Sequence, residues 1–170
     1  SWGDSQAYCF LPAFDVLGKD MNFSGVAVTH GARAPLLGGF IRDDFGRGED
    51  LPQWGGAVVD YVAAHRIRDT FLACLWEGYV DKYDRDRFTG AFIETVRALN
   101  DAGSKVWVVL QTPSHDAPVA KRFIRSTLFG ADNGSWQRSF DEHLRRTQVM
   151  LEIERLSKGL NVRFLDPAPL

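Results

Sequence analysis

Apolar positions along the chain switch between two spacings. Ala7, Phe10, Leu11, Phe14 and Leu17 recur as on one face of a helix, with Gly18 as the expected stop. Pro12 lies inside that stretch. Its fixed φ and missing N–H predict a kink or a helix in two parts. "FSGVAVTHG" reads as a strand, and residues 31–51, rich in Gly, Pro and Asp, read as a long loop. Trp54, Val58, Val59, Val62 and Ala63 mark a second helix. "TFLACLW" is a nearly continuous apolar run, as in a strand covered on both faces. Phe88, Ala91, Phe92, Val96 and Leu99 share a third helical face that starts with acidic residues and stops at Gly103. "KVWVVLQTP" is the next buried strand, and residues 114–134 are mixed and partly helical. Trp136, Phe140, Leu144, Thr147 and Leu151 outline a long helix whose outer face carries Glu142 and Arg146 one turn apart. "NVRFLDP" is a last short strand.

Strands that alternate with helices predict an α/β fold, a three-layer α/β/α sandwich with a flavodoxin-like parallel sheet. The first helix should follow a strand. Only Ser1 and Trp2 precede Gly3-Asp4-Ser5, whereas a strand usually takes roughly five residues. The expectation is a single domain over residues 1–170 whose first strand is missing from the chain.

Composition narrows the function classes. A length of 170 residues suits one domain with its own core. The net charge of −2 recommends neither nucleic acid nor an anionic membrane as partner. The apolar runs "FLACLW" and "VWVVL" are too short to span a bilayer, and no secretory signal is visible. Cys9 and Cys74 are too few for a disulfide scaffold. Two readings of them stand: small buried hydrophobes, or a pair joined by a disulfide. No spacing of His, Cys, Asp or Glu suggests a metal site, and no cofactor is called for.

The candidate chemistry lies at the start. A serine at a sharp strand-to-helix turn has an exposed hydroxyl and, beside it, helical N–H groups that can donate to a developing oxyanion. Gly3 makes room for such a turn and Ser5 stands at its apex. The competing reading is that Asp4 or Ser5 only caps the helix.

"WGDSQAYCFLPAF", "THGARAPLLGG", "FLACLWEGY", "VWVVLQTP" and "NVRFLDPAPL", in that order, resemble the SGNH hydrolase superfamily. More narrowly, they resemble the SGNH domain fused to membrane-bound acyltransferase-3 proteins, which O-acetylate bacterial surface polysaccharides. The resemblance implies a strand order of 2-1-3-4-5 and Ser5 as nucleophile. It implies an oxyanion hole formed by the Ser5 N–H and a glycine after the second strand. Gly38 matches that glycine, with Gly39 close behind. Gln6 replaces the His that usually follows the triplet. The usual Gly-x-Asn-Asp after the third strand is replaced by Trp76-Glu77-Gly78-Tyr79, so Asp4, Trp76 and Tyr79 become candidate site-lining residues. Trp76 also reads as a core aromatic at a strand end.

The family's base and acid lie on an Asp-x-x-His. Ala27, Val62, Thr112 and Phe140 stand three residues before His30, His65, His115 and His143, so none of the four completes it. The expectation is that the motif belongs to a segment beyond residue 170. His30, and His115 with Asp116 beside it, follow strands and are the alternative bases. Exposed loop histidines are the ordinary reading of both, and His65 and His143 read as helix-surface residues. The functions implied are a serine O-acyltransferase or esterase on carbohydrate, with an acyl donor and a glycan as partners. An N-terminal membrane acyltransferase domain and an extracytoplasmic, periplasmic location are implied with it. The rivals are a non-catalytic domain that binds glycan or a protein partner, and a flavodoxin-like nucleotide binder, which lacks a Gly-rich phosphate loop.

Overall fold

The computed structural model describes residues 1–42, 53–112, 124, 126–128 and 140–167. Five strands form one sheet among them: β1 Trp2–Gly3, β2 Val28–Thr29, β3 Asp69–Ala73, β4 Lys105–Val109 and β5 Val162–Leu165. Their order is β2-β1-β3-β4-β5, and every pairing is parallel. Among the described residues the helices beside them include α1 Ser5–Cys9, α2 Leu11–Met21, α3 Gln53–Ala64, α4 Trp76–Val80, α5 Arg85–Asp101 and α6 Phe140–Leu156. The expected three-layer parallel architecture is what forms. No described helix is long and apolar enough to cross a membrane.

Side chains alternate across a strand, so neighbouring residues report on opposite faces of the sheet. Leu72, Val106 and Val108 enter the main core with Val58 and Val62 of α3, Phe88, Phe92 and Val96 of α5, and Met150 and Ile153 of α6. Ala73 and Val109 instead meet Ala7 of α1, with Phe10 and Phe71 packed against them. Thus α1 and α2 cover one face, and α3, α5 and α6 the other.

The interior position of the sheet between β2 and β3 is held by the two residues Trp2 and Gly3. Trp2 pairs with Val28 and Leu72, and Gly3 with Thr29 and Ala73. The first helix does divide: α1 ends at Cys9, and α2 restarts with Pro12 in its first turn, where a missing N–H is harmless. Gly18 is not the stop. The helix runs to Met21 and ends on Asn22, whose φ of 54° is left-handed, a conformation Asn tolerates. Gly18 has a different reason, since a Cβ there would lie 2.9 Å from the Phe23 carbonyl oxygen.

The buried stripe of α6 differs from the expected one. It runs through His143, Thr147, Met150 and Ile153, whereas Leu144 is 37% exposed. The pattern misleads because polar residues occupy buried positions. Thr147 Oγ1 donates to the His143 carbonyl (3.1 Å) and, beyond the helix, Ser157 Oγ donates to that of Ile153 (2.7 Å), so neither hydroxyl is buried unsatisfied.

Residues 30–42 form an ordered turn with an antiparallel bridge between Arg33 and Ile41. Side chains of α5 and the segment before it fasten it, among them Thr95 and Tyr83, which make two hydrogen bonds each. Thr95 Oγ1 donates to the Ala91 carbonyl (2.6 Å) and accepts from the Leu37 N–H (2.9 Å). Tyr83 Oη accepts from the Ile41 N–H (2.8 Å) and donates to its carbonyl (2.7 Å). Thr95 is fully buried. Thr95→Val keeps its shape and orphans the Leu37 N–H, so a loss of about 1–3 kcal/mol in urea unfolding is expected. An unchanged midpoint would show that Thr95 does not anchor the turn.

Candidate functional site

β1 delivers Gly3, Asp4 and Ser5 to the carboxyl end of the sheet. Gly3 is there because nothing larger fits: a Cβ would lie 1.7 Å from the Ala73 carbonyl oxygen and 2.7 Å from the Ala7 Cβ. Asp4 is the N-cap of α1 and is 2% exposed. Its Oδ1 accepts from the Gln6 N–H (2.8 Å). Its Oδ2 accepts from the Leu75 N–H and from the Tyr79 hydroxyl, both at 3.1 Å. Burial raises the pKa of Asp4, while these three donors and the Arg42 charge oppose the rise.

Capping therefore falls to Asp4, and Ser5 is left exposed. Ser5 lines a cleft of about 240 Å³ with Asp4, Tyr8, Thr29 and Gly31. The His30 N–H donates to the Gly3 carbonyl (3.0 Å), which draws the turn after β2 against the triplet. Gly38 and Gly39 do not line this cleft. They sit at the tip of the 30–42 turn with φ of 86° and 72°, a conformation glycine adopts without strain. Gly31 is the glycine beside Ser5, and Thr29 and Tyr8 complete the rim. From the sequence the candidate glycine falls in "APLLGG", and Gly31 is not singled out but reads as part of the strand "FSGVAVTHG".

Trp76 and Tyr79 stand behind the cleft. Trp76 is buried; its indole N–H donates to the Val109 carbonyl (2.8 Å) and its ring meets Phe92 edge-on. Tyr79 is fully buried, and burial above all pushes its phenol far above the ordinary value, so it remains a donor. Between them, the Glu77 N–H donates to Gln111 Oε1 (2.9 Å), and Glu77 Oε2 lies 3.9 Å from Arg146 Nη1.

The histidines divide. His30 is exposed at the end of β2, with Nδ1 3.0 Å from the Gly31 carbonyl oxygen and its ring edge-on to Trp54. A carbonyl only accepts, so that nitrogen carries the proton. His65 is exposed against Tyr61. His143, expected on the surface, is 3% exposed because its side of α6 faces the core. His115 and Asp116 lie outside the described residues. The cysteines are not joined: Cys9 is exposed, and Cys74 is buried, with its thiol pushed up by burial. Among the described residues no group of His, Cys, Asp and Glu could hold a metal ion.

Comparison with solved structures finds the same architecture in the Salmonella ser. Paratyphi A lipopolysaccharide acetyltransferase periplasmic domain. The TM-score is 0.71 at 12% identity, covering 99% of this chain. The chain spans 65% of that solved chain, so the likeness is one of fold over part of it. No curated protein sequence gives a significant match. The family model of the SGNH domain fused to AT3 domains matches residues 1–170. Matched over its whole length, with a parallel sheet that presents Gly3-Asp4-Ser5 at its carboxyl end, the chain belongs to that SGNH family.

Proposed function

We propose that this domain is a serine-dependent O-acyltransferase or esterase acting on carbohydrate, with Ser5 as the nucleophile. The observation that carries the reading is local. In the triplet, Gly3 is consumed by packing, and Asp4, which also lines the cleft, is 2% exposed and committed to capping, so Ser5 is the member that presents an exposed side chain there. Family membership supports the class of chemistry, and the name of the structural neighbour supports a bacterial surface polysaccharide as acceptor.

In this mechanism Ser5 Oγ attacks the carbonyl carbon of an acyl donor as a base removes its proton. The tetrahedral oxyanion accepts from the backbone N–H of Ser5 and from that of Gly31, which the cleft favours over Gly38. Collapse expels the donor's leaving group and leaves an ester on Ser5. A sugar hydroxyl, or water, then attacks that ester and regenerates the serine. Transfer and hydrolysis differ only in which acceptor arrives. The base belongs to an Asp-x-x-His in the full-length protein, by analogy with the superfamily. The same analogy places the domain on the periplasmic side, joined to a membrane acyltransferase domain that supplies the acyl group.

The reading is tested with a fluorophosphonate probe on the full-length protein. Label is expected on the peptide that holds Ser5, and none on the Ser5→Ala variant. Equal labelling of both would end the proposal.

A further inference from the structure

We infer that Asp4 and Tyr79 form a positioning pair that holds Ser5 in its attacking pose, with the Tyr79 hydroxyl acting through the Asp4 carboxylate. The inference rests on the reading of Ser5 as nucleophile and gives a role to two residues that the cleft chemistry does not use directly.

The geometry is a clamp around one residue. Ser5 stands between Asp4 and Gln6, and one carboxylate fixes both neighbours, since the Gln6 N–H donates to Asp4 Oδ1 at 2.8 Å. The second oxygen reaches across to β3 and α4, where it accepts from the Leu75 N–H and the Tyr79 hydroxyl, each at 3.1 Å. A peptide N–H can only donate, and an ionised carboxylate can only accept. The network therefore fixes the direction of the phenol as well: its hydrogen points at Asp4. Tyr79 is sealed by the surrounding core, with 0% exposure, and cannot rotate toward solvent. The backbone on either side of Ser5 is thus tied to an element more than seventy residues away.

A clamp needed only for stability has a simpler form. The raised pKa of Asp4 means that ionisation costs more in the fold than in water, and burial is the first cause. A neutral Ser or Asn cap would hold α1 without that cost. What the carboxylate adds is a third acceptor position, and Tyr79 occupies it.

Tyr79→Phe deletes the hydroxyl and keeps the ring. In the full-length protein kcat for an acetyl ester is expected to fall about ten-fold or more, because small misplacements of a reacting group are costly. KM is expected to stay within about two-fold of wild type, since no substrate contact is removed. Rates are taken per folded molecule, with folding checked by thermal unfolding. A pair that serves stability alone would lower the unfolding midpoint and leave kcat at the wild-type value, which would overturn the inference. Should Tyr79→Phe not fold, Asp4→Asn gives the same decision, because its NH2 faces the backbone N–H of Leu75 or, flipped, that of Gln6, and a peptide N–H only donates. Wild-type kcat in folded Asp4→Asn would equally overturn it. Ser5→Ala, run alongside, separates the two ideas. A fully active Ser5→Ala sinks the serine reading, whereas an inactive Ser5→Ala beside a fully active Tyr79→Phe sinks only the clamp.

Discussion

Ser5→Ala in the full-length protein is expected to lower acyl transfer or ester hydrolysis by a factor on the order of 10⁶, the scale on which loss of an activated nucleophile is felt. The fold should not notice. Ser5 is exposed, the cap of α1 is Asp4, and among the described residues no hydrogen bond from the Ser5 side chain is found. A surface change of this kind usually moves stability by less than about 0.5 kcal/mol. The separation of the two effects is the informative part: turnover is measured with a chromogenic acetyl ester, and stability by urea unfolding of the same preparation. A variant that keeps wild-type turnover would remove Ser5 from the chemistry.

Gly3→Ala is expected to do the opposite and fail in the fold before the chemistry can be asked about. The new methyl group would sit 1.7 Å from a backbone oxygen of β3 and 2.7 Å from the Ala7 Cβ. Neither is the far end of a flexible side chain that could swing away. β1 is two residues long and pairs on both sides, so a shift at Gly3 is felt by β2, β3 and α1 together. Overpacking in a core typically costs about 1–3 kcal/mol, and a clash with main chain belongs at or beyond the upper end. Soluble yield and the urea midpoint report it. Gly31→Ala makes the comparison, since a Cβ there meets no atom within 4 Å and the midpoint should be unchanged. A Gly3→Ala protein as stable as wild type would mean that the triplet's glycine is not required by packing.

The contrast between these glycines shows where residue patterns carry information and where they stop. The α/β alternation was legible because β3, β4, α3 and α5 each have a long enough period to read. β1 was not, because two residues have no period, and only its partners Val28 and Leu72 reveal it as a strand. The inner face of α6 reads only in part from the pattern: Thr147 lies on it as expected, but His143 is buried and Leu144 is 37% exposed, because a polar residue stands where the period points to an apolar one. Ser5 was legible as a candidate from its triplet and the helix after it. Its surroundings were not. Tyr79 reaches Asp4 across 75 positions, and nothing local to either announces the bond. Several glycines follow the second strand, and that Gly31 is the one lining the cleft with Ser5 is seen only in the cleft itself. Trp76 reads from the sequence either as a wall of that cleft or as a core aromatic at a strand end, and it is buried, with its indole tied to the Val109 carbonyl of β4.

The central claim is that an acyl group passes through Ser5. The full-length protein is mixed with an acetyl donor, quenched in acid while turnover is under way, digested and weighed by mass spectrometry. The account predicts one acetyl group on the peptide that contains Ser5, localised by fragmentation to Ser5 and absent when Ser5 is Ala. Turnover that proceeds with that peptide unmodified, or an acetyl group that persists there in Ser5→Ala, would contradict it.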